Sequence, residues 1–133
     1  MELHRVRGTE IESVHTLLIA NGWGGRVSSV QRLASLLERS QIAEVAIIED
    51  AVAGFIRGIT DGQSNGYLSM VVVAEAHRCK GIGRRLVEHA IGNNPEITWM
   101  LRPGRLGASE FFSKLGFKQS SIAMERLRTQ SGA

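Results

Sequence analysis

The sequence predicts a mixed α/β chain, of the α+β kind, folded around a single sheet of about six to seven strands flanked by about four helices. Three observations predict it. Runs rich in β-branched residues at 43–48, 52–60 and 67–73 have strand length and are bounded by turn residues. Apolar residues recur at helical spacing between Ile11 and Leu18 and again between Val30 and Leu37. The run ending at Val73 then passes through a short polar link into a helix that opens on Gly81 and Gly83.

Taken in order, residues 3–7 read as a first strand around Leu3, His4 and Val6. Thr9-Glu10-Ile11-Glu12 has the Thr-x-x-Glu form of a capping box. Ile11, Val14, Leu17 and Leu18 follow on one helical face, and Asn21-Gly22 stops that helix. Trp23-Gly24-Gly25 is a bend. A second helix starts at Ser28 or Ser29, carries Val30, Leu33, Leu36 and Leu37 on one face, and ends around Arg39-Ser40. Residues 43–48 form a strand that Glu49-Asp50 turns into another at 52–60, where Gly54 marks a bulge or a tight crossing. Residues 61–66 have turn chemistry, and 67–73 are the strand before the polar link. The helix that follows ends near Ile91, with Gly92 as its cap and Pro95 beyond it. Residues 97–101 read as a buried strand, 108–115 as a short helix closed by Gly116, and 122–127 as a last strand. The expected organisation is one domain over residues 1–128 with a flexible tail at 129–133.

A chain of 133 residues is long enough to bury about two-thirds of its unfolded surface. With 43% hydrophobic and 22% charged residues it has the composition of an ordinary soluble protein. No apolar run is long enough to span a bilayer, the N-terminus lacks a signal peptide's apolar segment, and the lone Cys79 cannot form an internal disulfide. The cytoplasm is therefore the expected compartment, and neither a metal nor a membrane partner is expected. The net charge of +3 and pI near 9.6 suit a polyanionic partner. Dispersed arginines and the lack of an aromatic stacking platform argue against nucleic acid, the competing basic-protein reading.

The chemistry concentrates where the strand at 67–73 meets its helix. Unsatisfied N–H groups at a helix start, together with the helix dipole, attract anions. Gly81 and Gly83 let a phosphate approach the main chain, and Arg78, Lys80, Arg84 and Arg85 surround the point with positive charge. Two familiar phosphate motifs do not fit. A P-loop needs its lysine after the glycine and a hydroxyl residue next. A dinucleotide fingerprint needs a third glycine where Leu86 stands.

What fits is Arg/Gln-x-x-Gly-x-Gly/Ala after a strand, here Arg78-Cys79-Lys80-Gly81-Ile82-Gly83. This resembles the acetyl-CoA loop of the GNAT N-acetyltransferase superfamily. Ala108-Ser109-Glu110-Phe111-Phe112-Ser113-Lys114-Leu115-Gly116-Phe117 is similar to that superfamily's C-terminal Ala-x-x-Phe-Tyr-x-Lys-x-Gly-Phe pattern. The resemblance covers roughly the whole chain and is best defined from Gly54 onward. It implies a mostly antiparallel sheet, acetyl-CoA as cofactor, and direct acetyl transfer to an amine in a ternary complex. It also implies that the cofactor lies in a V-shaped gap between the strand before the loop and the next one. Main-chain groups across Val71, Val72 and Val73 would hold the pantetheine arm, and one of those N–H groups would polarise the acetyl carbonyl. Arg78, Cys79, Lys80, Gly81, Ile82, Gly83 and Arg84 would grip the phosphates, with Arg84 favoured over Arg85 for the outer one. Homodimers are frequent among relatives, so a homodimer is compatible with the chain.

Departures from the pattern bear on mechanism. Phe112, also assigned to the cofactor site, stands where many relatives have a tyrosine that protonates the departing thiolate. Arg105 replaces an asparagine, and Tyr67 and Met100 stand where relatives carry catalytic carboxylates. No general base is identified; Tyr67 is the one candidate participant, with Ser69, Glu75, Glu110 and Ser113 in reserve. His77 and His89 read as surface residues and Cys79 as a spectator. The acceptor, expected to be a small primary amine, would meet Trp23, Arg26, Arg57 and Tyr67; Trp23 reads equally as a hydrophobic plug. The alternative is an acyl-CoA-binding sensor or partner module that has lost turnover.

Overall fold

In the computed structural model, which describes residues 1–105 and 107–129, the β-branched runs form one sheet in the order β1-β2-β3-β4-β5. Its strands are β1 (Glu2–Arg5), β2 (Ile42–Ile48), β3 (Ala51–Thr60), β4 (Asn65–Val73) and β5 (Thr98–Leu101). The first four pair antiparallel, and β5 joins β4 in parallel. A parallel neighbour needs a long crossover, and helix α3 (Ile82–Ile91) lies within it. Helices α1 (Ile11–Ala20) and α2 (Val30–Glu38) fall between β1 and β2, and α4 (Ala108–Ser113) follows β5. The chain divides into two compact units, Met1–Arg102 and a second from Pro103 onward.

The described residues thus hold five strands rather than the expected six to seven. The expected last strand, 122–127, has no regular structure, with Ile122 90% and Met124 96% exposed. A strand-like pattern becomes a strand only when its backbone groups find a partner strand. Here Ser120 Oγ accepts from the N–H groups of Ile122 and Ala123 at 3.2 and 3.0 Å, a local turn that competes with pairing. Of the expected tail, 130–133 lie outside the described residues.

Local chemistry explains the helix ends. The Ser29 hydroxyl accepts from the Arg32 N–H at 3.1 Å, which caps α2. At α1 the expected Thr9–Glu12 box gives way to a 3₁₀ turn over Gly8–Glu10. There Glu10, not Glu12, closes the turn, accepting from the Arg7 N–H at 2.8 Å and meeting the His4 ring at 2.9 Å. Partial burial pushes the Glu10 carboxyl up, but the Arg7 N–H and His4 outweigh it and hold the group below its ordinary value. Between β2 and β3, Glu49 and Asp50 both take positive φ (50° and 63°), the geometry of a two-residue hairpin.

One face of the sheet presents Ala43, Val45, Phe55, Met70 and Val72 to Val14 and Leu18 of α1 and Leu33 and Leu37 of α2. The opposite face receives α3, whose Ile82, Leu86 and Val87 are buried. Gly54 has both roles that its place in a strand suggests. The β2–β3 register shifts beside it, and a Cβ there would lie 3.0 Å from Leu86 Cδ1, 3.1 Å from Ile82 Cγ2 and 3.2 Å from the Val72 carbonyl oxygen. Gly54→Val is expected to cost about 1–3 kcal/mol through overpacking, read as a lower urea midpoint at unchanged m-value. Strand β5, expected to be buried, is half covered, with Met100 45% exposed, because it is the last strand in the order and pairs on one side only among the described residues. No helix of the described residues is long and apolar enough to cross a membrane.

Candidate active site

The centre of the site is β4. Val71, Val72 and Val73 pair with Ile56, Phe55 and Gly54 of β3, and Met70 with Arg57. The register then shifts: Gly58 pairs with Leu68, which leaves Ser69 opposite no residue of β3. Such a bulge bends and twists its strand. On the other side, β5 pairs with β4 only from Asn65 to Leu68, ending at Leu68 opposite Leu101. The bulge and the end of pairing fall at the same place. Beyond it, residues 69–73 keep β3 as their only partner strand among the described residues, because β5 itself ends at Leu101.

Past Val73 the chain makes a 3₁₀ turn over Glu75–His77 and enters the loop that starts α3. Arg78 braces this loop. Its Nη2 donates to Asn21 Oδ1 at 2.6 Å and its Nε to the Val73 carbonyl oxygen at 3.2 Å, tying the loop to the end of α1 and the end of β4. Cys79 takes φ 63° without being glycine, a conformation that costs roughly 1–3 kcal/mol and clusters at functional sites. Gly81 caps α3 at φ 81°. The first hydrogen bond entering the helix runs from the Arg85 N–H to the Gly81 carbonyl oxygen at 3.1 Å, so the N–H groups of Ile82, Gly83 and Arg84 lie ahead of it. The Ile82 side chain is buried under the helix, whereas Lys80, Gly81, Arg84 and Arg85 are exposed. Arg84 donates to Glu88 at 3.1 Å in an exposed pair, a weak interaction in water. This arrangement of N–H groups unpaired among the described residues, left-handed backbone and cations can bind an anion at the main chain.

The other predicted residues occupy separate places. Trp23 is half-buried and packs against the hydrophobic core. Tyr67 is half-buried on β4, opposite Ile59 of β3 and Met100 of β5. Phe112 belongs to the second unit, where it is buried on α4 with T-shaped ring contacts to Phe111 and Phe117 at 4.9 and 5.7 Å. Glu110 and Ser113 are exposed on that helix, and Glu75 is exposed in the 3₁₀ turn. His77 is half-buried, and His89 of α3 meets Glu44 of β2 at 3.1 Å. Sequence reasoning missed Asn21 as a brace: it reads as a helix stop, and nothing local signals a partner 57 residues away.

Arg57 has an environment of its own. Its Nε donates to Ser40 Oγ at 2.8 Å, and that buried hydroxyl in turn donates to the Leu36 carbonyl oxygen at 2.8 Å. Burial and the nearby Arg26 charge both pull the guanidinium below its ordinary value, and Tyr67 offsets part of this.

Comparison with known proteins fits this architecture. The sequence profile of the acetyltransferase (GNAT) domain matches residues 39–119. A GNAT-family acetyltransferase of Streptococcus pneumoniae superposes with a TM-score of 0.78 at 25% identity, over 98% of this chain and 96% of that one. An acetyltransferase of Trypanosoma brucei gives 0.73 at 22% identity, over 96% and 99%. An aminoglycoside 6'-N-acetyltransferase complexed with coenzyme A gives 0.60 at 24% identity, over 68% and 53%. No curated protein matches the chain. The fold is that of an acyltransferase: a mixed, mostly antiparallel sheet with one parallel strand–helix–strand unit. This chain belongs to the GNAT acetyltransferase family.

Proposed function

We propose that the chain is an acetyl-CoA-dependent N-acetyltransferase that acetylates the primary amine of a small molecule by direct attack in a ternary complex. The observation that carries this is the end of β5 opposite Leu68, which leaves residues 69–73 without a strand on that side among the described residues, leading into a helix whose first N–H groups precede its first intrahelical bond. The coenzyme A bound by the aminoglycoside acetyltransferase, a protein of the same fold, supports the choice of cofactor.

The residues present fit such a cofactor. Main-chain groups of Val71 and Val73 would hold the pantetheine arm along the open side of β4. Main-chain N–H groups from Cys79 to Arg84 would take the diphosphate, with Arg78 bracing the loop and Lys80, Arg84 and Arg85 supplying positive charge around it. Bound there, the thioester supplies an activated acyl group. An N–H group at residues 71–73 would donate to the acyl carbonyl oxygen and stabilise the negative charge that develops there. The acceptor would enter as a neutral amine, and the proton lost from its nitrogen would pass to water, with Tyr67 as the candidate relay. Phe112 has no proton to give, so the thiolate leaves with a proton from water or from the attacking nitrogen. Loss of a positioned acid or base costs about 10²–10⁴ in rate, a deficit that orientation alone can exceed.

A free-thiol assay with acetyl-CoA and a panel of small amines tests this. Acceptor-dependent thiol release together with an N-acetylated product in the mass spectrum is the expected result. Saturable acetyl-CoA binding in calorimetry with no thiol release from any amine would overturn turnover and favour the sensor. No binding at all would remove both.

A further inference from the structure

Arg57 is a half-buried cation with no counter-charge among the described residues. Its one hydrogen bond goes to a neutral hydroxyl, and neither it nor Arg26 belongs to any ion pair of the described residues. The carboxylate on the neighbouring strand, Glu44, does not serve. It pairs in register with Ile56, which puts it on the opposite face of the sheet, where it meets His89 of α3. A second cation, Arg26, lies in electrostatic range and makes matters worse. Withdrawing a charge from water without a partner is unfavourable, and a guanidinium does not escape by losing its proton.

The geometry around Arg57 is nonetheless fixed. Ser40 is 4% exposed and is held by its own bond to Leu36, so it anchors Nε and leaves Nη1 and Nη2 as a fork without a partner among the described residues. That fork suits a carboxylate held by two parallel bonds. The bulge at Ser69 decides what lies beside it. Arg57 and Ile59 alternate onto the same face of β3, and the shifted register places Tyr67 opposite Ile59. Tyr67 therefore shares the Arg57 face, which straight alternation along β4 would deny it. Met70, directly opposite Arg57, precedes Val71, where β4 is open on its β5 side.

We infer that the acceptor is a primary amine that carries a carboxylate, with the carboxylate on the Arg57 fork beside Arg26 and the amine running along β4 past Tyr67 to the open stretch at residues 69–73. This names the substrate class of the proposed acetyltransferase and rests on that reading for the fate of the amine, though not for the anion site.

The test compares amino acids of increasing chain length with their amides and with diamines of equal length. The wild-type chain is expected to favour the carboxylate over its amide by about tenfold or more in kcat/KM, the scale of a hydrogen-bonded charge pair. Arg57→Lys and Arg26→Gln should each shrink that ratio, and Arg57→Gln should abolish it. If Arg57→Gln does not fold, Arg57→Lys and Arg26→Gln carry the comparison. A second readout needs no turnover: the preferred amino acid, alone and with desulfo-coenzyme A, should raise the melting temperature of the wild-type chain and not of Arg57→Lys. Amides or diamines that serve as well as the carboxylates would overturn the inference and leave the acetyltransferase standing. Carboxylate-dependent protection in a chain that binds no CoA thioester would do the reverse.

Discussion

A Gly83→Val chain is expected to fold normally and to bind acetyl-CoA at least about tenfold more weakly than its parent. Gly83 stands in the first turn of α3 with a negative φ, so a side chain there meets no backbone strain, unlike one at Gly81 with φ 81°. Glycine is among the poorest helix formers, and replacing it removes up to about 1 kcal/mol of that handicap, so the free protein should lose little stability. The ligand is affected differently. If the diphosphate lies against the N–H groups ahead of the Arg85–Gly81 bond, a branched Cβ in their midst holds it off the main chain. Calorimetric titration beside a thermal melt separates the two effects. Gly83→Ala should fall between the parent and the valine variant in affinity while melting no lower than the parent. Unchanged affinity in a folded valine variant would mean that the diphosphate lies elsewhere.

That variant could be chosen from the sequence because the loop is local. Six adjacent residues fix the turn, the glycines and the helix start, and the structure has them where the pattern puts them. The Ser29 cap and the close passage of α3 over Gly54 were legible for similar reasons: a hydroxyl before an apolar helical face, and a glycine in a β-branched run. What was not legible depends on distant partners. Asn21 holds Arg78 across 57 residues, and Ser40 holds Arg57 across 17. The bulge at Ser69 arises from pairing with β3, and no residue type within β4 signals it. Yet it puts Tyr67 on the Arg57 face. Residues 122–127 show the opposite error, in which a good local pattern found no pairing partner among the described residues and Ser120 took its first N–H groups.

Gly66→Val is expected to be the most damaging single change in the first unit. Gly66 is buried and stands opposite Trp99 where β4 and β5 run parallel. The Trp99 ring lies over it so closely that a Cβ would fall under 3.0 Å from three ring carbons, a distance that real contacts do not show. Two responses are available, and both are costly. The indole can leave its rotamer and its half-buried seat, or the strands can move apart at the four-residue pairing that holds β5. Overpacking of this kind costs about 1–3 kcal/mol and at times more, enough to lower the melting temperature by roughly 5–10 °C in a chain of this size. Gly66→Ala should show most of the effect, since the Cβ itself is the obstacle. Trp99→Ala should be destabilising alone, through lost burial, yet the double variant should be less destabilised than the sum of the two. Positive coupling of that sign in a double-mutant cycle identifies the ring as what the glycine accommodates. Trp99 fluorescence, read in a Trp23→Phe background so that it is the only indole, should report a more solvated ring in Gly66→Ala before global unfolding. Strict additivity, or a Gly66→Ala variant that melts with its parent, would show that β5 is not held against β4 by this contact.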